Sequence, residues 1–271
     1  MADQPLLACR AVSKAFGAVQ ALHRVDFEVR AGEVMALAGD NGAGKSTLIK
    51  GIAGIYTFDE GQILMEGRPI HIHSPRDSAA AGIEVVYQDL ALADNLDVVA
   101  NMFLGREKTR LGRVLDESSM EHETQQTLES LSVTTLRSVR QTVTGLSGGQ
   151  RQAVAVAKSV MWNSRVVILD EPTAALGVAQ TRQVLDLVRR LTERDLAVVL
   201  ISHNLHDIFE VADRITVLRL GQNVGVFQTA QTTQQEVVQA IAAGTLSRVP
   251  GMVDADGPDD ATEPTQTGAT E

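Results

Sequence analysis

The chain has 271 residues, 44% of them hydrophobic, enough for one large domain with a sizeable core. Its net charge is −10. Six of its 34 acids follow Arg248, and the rest of the chain carries 24 basic against 28 acidic residues, so no basic footprint exists for a nucleic acid.

No apolar run approaches the roughly 18 residues that span a bilayer. Met1–Pro5 is neither basic nor followed by a long apolar segment, so no signal peptide is read. The single cysteine, Cys9, cannot form an internal disulfide, consistent with a cytosolic protein. It reads as a small core residue on a first strand.

Strand-like pieces open the chain at Leu6 to Val12, Val25 to Val29 and Glu33 to Ala38. The third runs into Gly39-Asp40-Asn41-Gly42-Ala43-Gly44-Lys45-Ser46, which fits G-x-x-x-x-G-K-S/T between a strand and a helix. Glycines let such a loop wrap a phosphate chain with its N–H groups inward. Lys45 adds charge at the outer phosphates, and the Ser46 hydroxyl can ligate Mg2+. Candidate nucleotide contacts are Asn41, Gly42, Gly44, Lys45, Ser46 and Thr47. His71 and His73 alternate on an expected strand and read as surface residues rather than a metal pair.

From about residue 96 to 161 the pattern turns helical, as an inserted subdomain would. Met120, Leu128 and Leu131 share one face of a segment that Asp116 can cap. Within it, Leu146-Ser147-Gly148-Gly149-Gln150 precedes a helix whose N-terminus would present N–H groups to an anion. Val166 to Leu169 is an apolar strand ending in Asp170-Glu171. There Asp170 can hold a magnesium shell, and Glu171 can orient or deprotonate water. Val184, Leu187, Val188 and Leu191 mark a helix, and Ala197 to Ile201 another buried strand, so strand–helix–strand predicts parallel pairing. Thr233 to Glu236 is a capping box for a helix with Val237, Val238 and Ile241 as its apolar face and Gly244 as its stop. The acidic tail, 250–271, is predicted to be disordered.

A phosphate loop and an acidic strand suit a kinase, a GTPase or a helicase as well. The Ser147 segment decides, because it resembles the signature motif of ABC cassettes. That resemblance covers about residues 5–245. It implies an α/β fold: a RecA-like P-loop NTPase core, an antiparallel β-subdomain and the helical insertion. Within it, Phe16 resembles the aromatic that stacks on adenine, and Gln88 the glutamine that touches the Mg2+/water site and joins the core to the helical part. His203 resembles the histidine that senses the γ-phosphate. Ser147 and Gly149 would face ATP held by a second cassette.

Ala15 to Leu22, Asn101 to Glu107 and Glu171 to Gly177 narrow the resemblance to bacterial simple-sugar importers of the ribose/fructose/xylose kind. The chain is similar to their single-copy branch, since each motif occurs once. Implied partners are membrane permease subunits, a second copy or related cassette, and indirectly a sugar-binding protein, with the chain at the cytoplasmic face. One departure stands out. The loop after the acidic strand usually carries an Asp that touches the partner's phosphate loop, and here it carries Gly177.

Overall fold

The computed structural model describes residues 4–110, 114–244 and 252–253. In chain order, β1 (Leu7–Phe16), β2 (Val19–Val29) and β3 (Val34–Ala38) lead to α1 (Lys45–Ile52). Then come β4 (Glu60–Met65), β5 (Arg68–Ile70), α2 (Pro75–Ala80) and β6 (Ile83–Val86). The helical insertion holds α3 (Val98–Phe103), a small hairpin of β7 (Thr109–Arg110) and β8 (Val114–Leu115), α4 (Glu117–Ser130) and α5 (Gly148–Val160). β9 (Val166–Asp170), α6 (Val178–Thr192), β10 (Ala197–Ile201), α7 (Leu205–Val211), β11 (Arg214–Arg219), β12 (Gln222–Gln228), α8 (Gln234–Ala243) and β13 (Met252–Val253) follow.

Among the described residues the strands form three sheets. The largest has the order β13-β12-β11-β3-β10-β9-β6, with β11, β3, β10, β9 and β6 parallel. β10 lies beside β9 with α6 between them in sequence, as the strand–helix–strand pattern predicts. The second sheet, β2-β1-β4-β5, is antiparallel and contains both N-terminal strands.

The parallel strands are apolar throughout because both faces are covered. Val34, Ala36, Ala38, Val167, Leu169, Val198 and Leu200 enter one core with α3, α4, α5 and α6. The alternate residues Met35, Leu37, Val166, Ile168, Val199 and Ile201 enter another, with α1 and the antiparallel sheet. Cys9 is buried there on β1, and burial pushes its thiol up to about 12.

The caps follow the sequence reading. Asp116 accepts from Ser119 N at the start of α4, whose buried side includes Met120 and Leu128. Thr233 and Glu236 form a complete capping box on α8, and Gly244 ends it in the left-handed conformation. One expectation fails on that helix. Val237 and Ala240 are its buried residues and Ile241 packs partly, while Val238 is 49% exposed. The helix crosses the sheet edge with a narrower apolar stripe than its sequence suggests. His71 and His73 lie past the end of β5, both exposed, with rings stacked 6.3 Å apart. The predicted tail lies outside the described residues, apart from β13, which pairs antiparallel with β12. Among the described residues no helix is long and apolar enough to cross a membrane.

A buried ionic cluster fastens the two larger sheets together. Arg214 on β11 bonds Glu33 at 3.2 Å and Glu28 of β2 at 3.1 Å, and Arg10 of β1 takes the other Glu28 oxygen at 2.6 Å. Burial pushes Glu28 upward, but the two arginines outweigh it and hold its carboxyl below the usual range. Removing one partner of a buried pair strands the other charge and typically costs about 3–5 kcal/mol. Arg214→Ala should lower stability by that order in urea unfolding; an unchanged midpoint would show that the cluster contributes no net stability.

Candidate functional site

The parallel register brings four loops to one level. Leu37 pairs with Ile201, Ile201 with Asp170, and Leu169 with Val86. The residues that follow these strands are therefore neighbours: the Gly39 loop after β3, Ser202-His203 after β10, Glu171 after β9 and Tyr87-Gln88 after β6.

In the first of these loops, Gly39, Gly42 and Gly44 have φ of 151°, 82° and 101°. At Gly39 a side chain is excluded twice over, since a Cβ would also meet the Leu218 carbonyl oxygen at 2.3 Å. Gly221 N donates to Ala43 O at 3.0 Å and braces the loop from the β11–β12 turn. Gly44 caps α1 without a side chain, which leaves the first N–H groups of that helix open to an anion. Lys45 Nζ donates to the carbonyls of Gly39, at 2.6 Å, and Asp40, at 3.0 Å. Its amine is held below the usual lysine range by burial, against the charges of Glu171, Asp40 and Asp170. Asn41, Gly42 and Ser46 are exposed on the same surface, and Thr47 is half-buried.

Asp170 ends β9 half-buried. Burial raises its carboxyl above the ordinary range and so does the neighbouring Glu171, while Lys50 and Lys45 oppose them. Glu171 sits at φ 52°, its N–H bonded to Ile201 O at 2.9 Å. Its Oε2 lies 2.7 Å from His203 Nδ1. Tyr87 follows β6: burial raises its phenol, and so do the charges of Asp170 and Asp89. Gln88 is exposed in the following turn and makes no side-chain hydrogen bond among the described residues.

Phe16 ends β1, 48% exposed, with its ring edge-on to Tyr56 at 5.2 Å. Lys14 Nζ lies 5.6 Å from the Phe16 ring and 5.5 Å from the Tyr56 ring, and bonds Asp59 at 2.7 Å. The Tyr56 hydroxyl donates to Thr47 O at 2.7 Å, which ties this aromatic platform to α1. Tyr56 was not singled out in the sequence, where the only signal is an aromatic in a turn.

Ser147 is exposed and Gly149 buried at the start of α5. Ser147 caps α5 in a reciprocal box with Gln150. A Cβ on Gly148 would meet Leu176 Cδ2 at 3.0 Å, and one on Gly149 would meet Gln180 Cβ and Cγ at 3.0 Å. Among the described residues, no hydrogen bond or ion pair joins Ser147 or Gly149 to the Gly39–Thr47 loop, Asp170, Glu171 or His203.

The donor set also suits a magnesium ion. Asp170 could supply one carboxylate, Ser46 a hydroxyl and Gln88 a carboxamide oxygen, all hard ligands. Such an ion takes one or two protein carboxylates and fills its shell from phosphate oxygens and water. Burial, and after it the neighbouring Glu171, raise the Asp170 carboxyl, and a cation there would favour its charged form. The loop's dependence on glycine gives a direct check. Gly39→Ala should cost about 1–3 kcal/mol of stability through backbone strain alone, with loss of nucleotide binding; a thermal melt and a nucleotide titration both unchanged would contradict the loop geometry.

Comparison with known proteins bears on the family and the fold. The ABC transporter family profile matches residues 22–174. The fructose import ATP-binding protein FrcA of Rhizobium meliloti is 48% identical over 244 residues, covering 88% of this chain and 94% of that protein. The xylose/arabinose import ATP-binding protein XylG of Sulfolobus acidocaldarius is 44% identical over 244 residues, covering 90% and 96%. An ATP-binding cassette of an ABC transporter, solved in its ADP conformation, superposes with a TM-score of 0.74 at 25% identity, covering 88% of this chain and 95% of that one.

Proposed function

The chain belongs to the ABC transporter family, and from that premise we propose that it is the ATP-binding and hydrolysing subunit of an importer that energises uptake of a simple sugar through separate permease subunits. The observation that carries this reading is the convergence of Lys45, Asp170, Glu171 and His203 at the carboxyl edge of the parallel sheet. The sugar class rests on the two relatives named as fructose and xylose/arabinose import proteins, matched over nearly their full lengths.

ATP is the substrate. Its base would stack on Phe16, and its phosphates would lie along Asn41, Gly42, Gly44, Lys45, Ser46 and Thr47, with the open N–H groups of α1 and the Lys45 charge on the outer phosphates. Mg2+, held by Ser46, Asp170 and Gln88, would supply charge neutralisation on the phosphate oxygens. Hydrolysis places a water oxygen on the γ-phosphorus, breaks the bond to the β–γ bridging oxygen and releases ADP and phosphate. Glu171 would hold that water and accept its proton.

The Glu171–His203 contact bears on how the site works. A neutral imidazole has one N–H and one acceptor nitrogen. With Nδ1 donating to Glu171, Nε2 cannot donate to a phosphate oxygen as well. Sensing of the γ-phosphate by His203 while Nδ1 stays bonded to Glu171 would therefore require a second proton on the imidazole.

No hydrogen bond joins Ser147 or Gly149 to their own chain's loop among the described residues, and a complete site would take a second cassette placed head to tail, with those residues against its ATP. The surface around Gln88 and the helical insertion (residues 96–161 of a domain spanning 5–245) would take the permease. The chain would then lie peripherally at the cytoplasmic face, with the sugar-binding protein reached only through the permease.

Lys45→Ala should abolish ATP binding or turnover without unfolding the chain; wild-type turnover would remove the basis for the site. Glu171→Gln should lower turnover by about 10²–10⁴-fold while ATP still binds, measured by phosphate release beside equilibrium binding. The transport half is tested by reconstituting the chain with its permease in vesicles and measuring ATP-dependent uptake of fructose, xylose and ribose. Uptake of none of them, from vesicles that take up another solute, would refute the sugar assignment.

A further inference from the structure

Asp207 lies in the first turn of α7 and is 2% exposed. A carboxylate so buried is costly unless its oxygens are bonded. Among the described residues it forms no ion pair, and its partners are two neutral side chains. Asn204 Nδ2 donates to its Oδ1 at 2.9 Å, and Thr173 Oγ1 donates to its Oδ2 at 2.7 Å. An acid in a first helical turn is ordinary, because it meets the helix dipole. That explains neither the burial nor the bond to Thr173, which is 34 residues away in sequence.

The positions of the two donors give the bond its meaning. Thr173 is two residues past Glu171, and Asn204 is one residue past His203. Two further bonds fasten these loops: Glu171 N donates across to Ile201 O at the end of β10, at 2.9 Å, and Asn204 N donates to Ser202 Oγ within its own loop, at 3.0 Å. The loop after β9 is also strained, with Glu171 at φ 52° and Ala175 at φ 60°. Strained residues persist where surrounding contacts over-determine them. Beyond the bonds that Glu171 itself makes, Asp207 ties this loop to the loop bearing His203 through Thr173 and Asn204.

We propose that Asp207 is a positioning residue for hydrolysis. Its two carboxylate oxygens clip the loop after Glu171 to the loop after His203 and thereby set the Glu171–His203 contact, seen at 2.7 Å. It touches no reacting atom and acts through Thr173 and Asn204. This rests on the roles proposed above for Glu171 and His203.

The decisive variant is Thr173→Val in the full chain, which removes one hydroxyl at nearly constant volume. Misplacing a catalytic group by a fraction of an ångström to an ångström costs up to about 10²-fold. The expected result is a fall in kcat of roughly 10- to 100-fold, with KM for ATP changed by less than about twofold. Thr173→Ser, which keeps the hydroxyl, should stay within about twofold of the native kcat. In a His203→Ala background, Thr173→Val should cost less than about threefold more, because the contact it maintains is already gone. Asp207→Ala is expected to lose at least as much kcat as Thr173→Val, but also to melt lower; the threonine pair avoids that ambiguity.

Three results would overturn the proposal: native kcat in Thr173→Val; equal losses in the valine and serine variants; or the full loss persisting without His203. If Glu171→Gln hydrolyses ATP normally, the reading beneath this inference fails with it. If Glu171→Gln is inactive and Thr173→Val is native, this inference fails alone.

Discussion

Everything at the site hangs on the parallel register of β3, β10, β9 and β6. Leu37, Ile201, Asp170 and the end of β6 finish at one level, so the loops that follow are neighbours although they are far apart in sequence. Side chains alternate along a strand, and a slip of one residue would exchange its two faces. Here both faces are apolar, so hydrophobicity alone would tolerate the exchange. Size and shape hold the register instead: Val34, Ala36 and Ala38 pack toward the helices, and Met35 and Leu37 toward α1 and the antiparallel sheet. Exchanging them would put larger side chains where small ones fit and leave voids opposite, and close-packed interiors penalise both. The core thus sets where Asp170 and Glu171 stand, and in that sense it belongs to the chemistry.

On that frame the charges are arranged as a set of internal pairings that a triphosphate can exchange for better ones. Lys45 is turned onto the carbonyls of its own loop. Burial disfavours its charge and the nearby acids favour it. Asp170 is raised by burial and by Glu171, and Glu171 is engaged by His203. An anion with a divalent cation suits every member of this set: the lysine and the open helix end meet negative charge, and the paired carboxylates meet positive charge.

What the sequence shows and what it hides divide along a physical line. The phosphate loop, the acidic strand, the signature segment and both strong caps are local patterns, each carried by residues within a few positions, and the structure has strands, loops and helices where those patterns place them. β6 and β11 are harder to read. Ile83–Val86 is four residues long and contains Glu84, and β11 begins and ends in arginine. Arg214 can be buried only because Glu28 and Glu33, some 180 residues away, accept from it. Tyr56 and Asp207 are hidden for the same reason: one matters through Thr47 and Phe16, the other through Thr173, and neither relation leaves a periodic trace. Val238 errs the opposite way. Its spacing suits the buried stripe, yet the neighbouring structure covers only Val237, Ala240 and part of Ile241.

Gly177 shows how far a local departure reaches. Its φ of −75° and ψ of 164° are open to any residue, so the backbone does not demand glycine. The constraint comes from Gln180. Its Oε1 lies 2.7 Å from where a Cβ on Gly177 would stand, and its Cβ and Cγ lie 3.0 Å from where one on Gly149 would stand. One side chain thus stands beside two glycines, and an aspartate at 177 would require the end of Gln180 to move. Glu171, six residues earlier, is held by Ile201 O and, through Thr173, by Asp207. Neither fastening passes through position 177. The Glu171 end of the loop therefore keeps both fastenings with glycine at 177, and the space that a side chain at 177 would enter is taken by the end of Gln180.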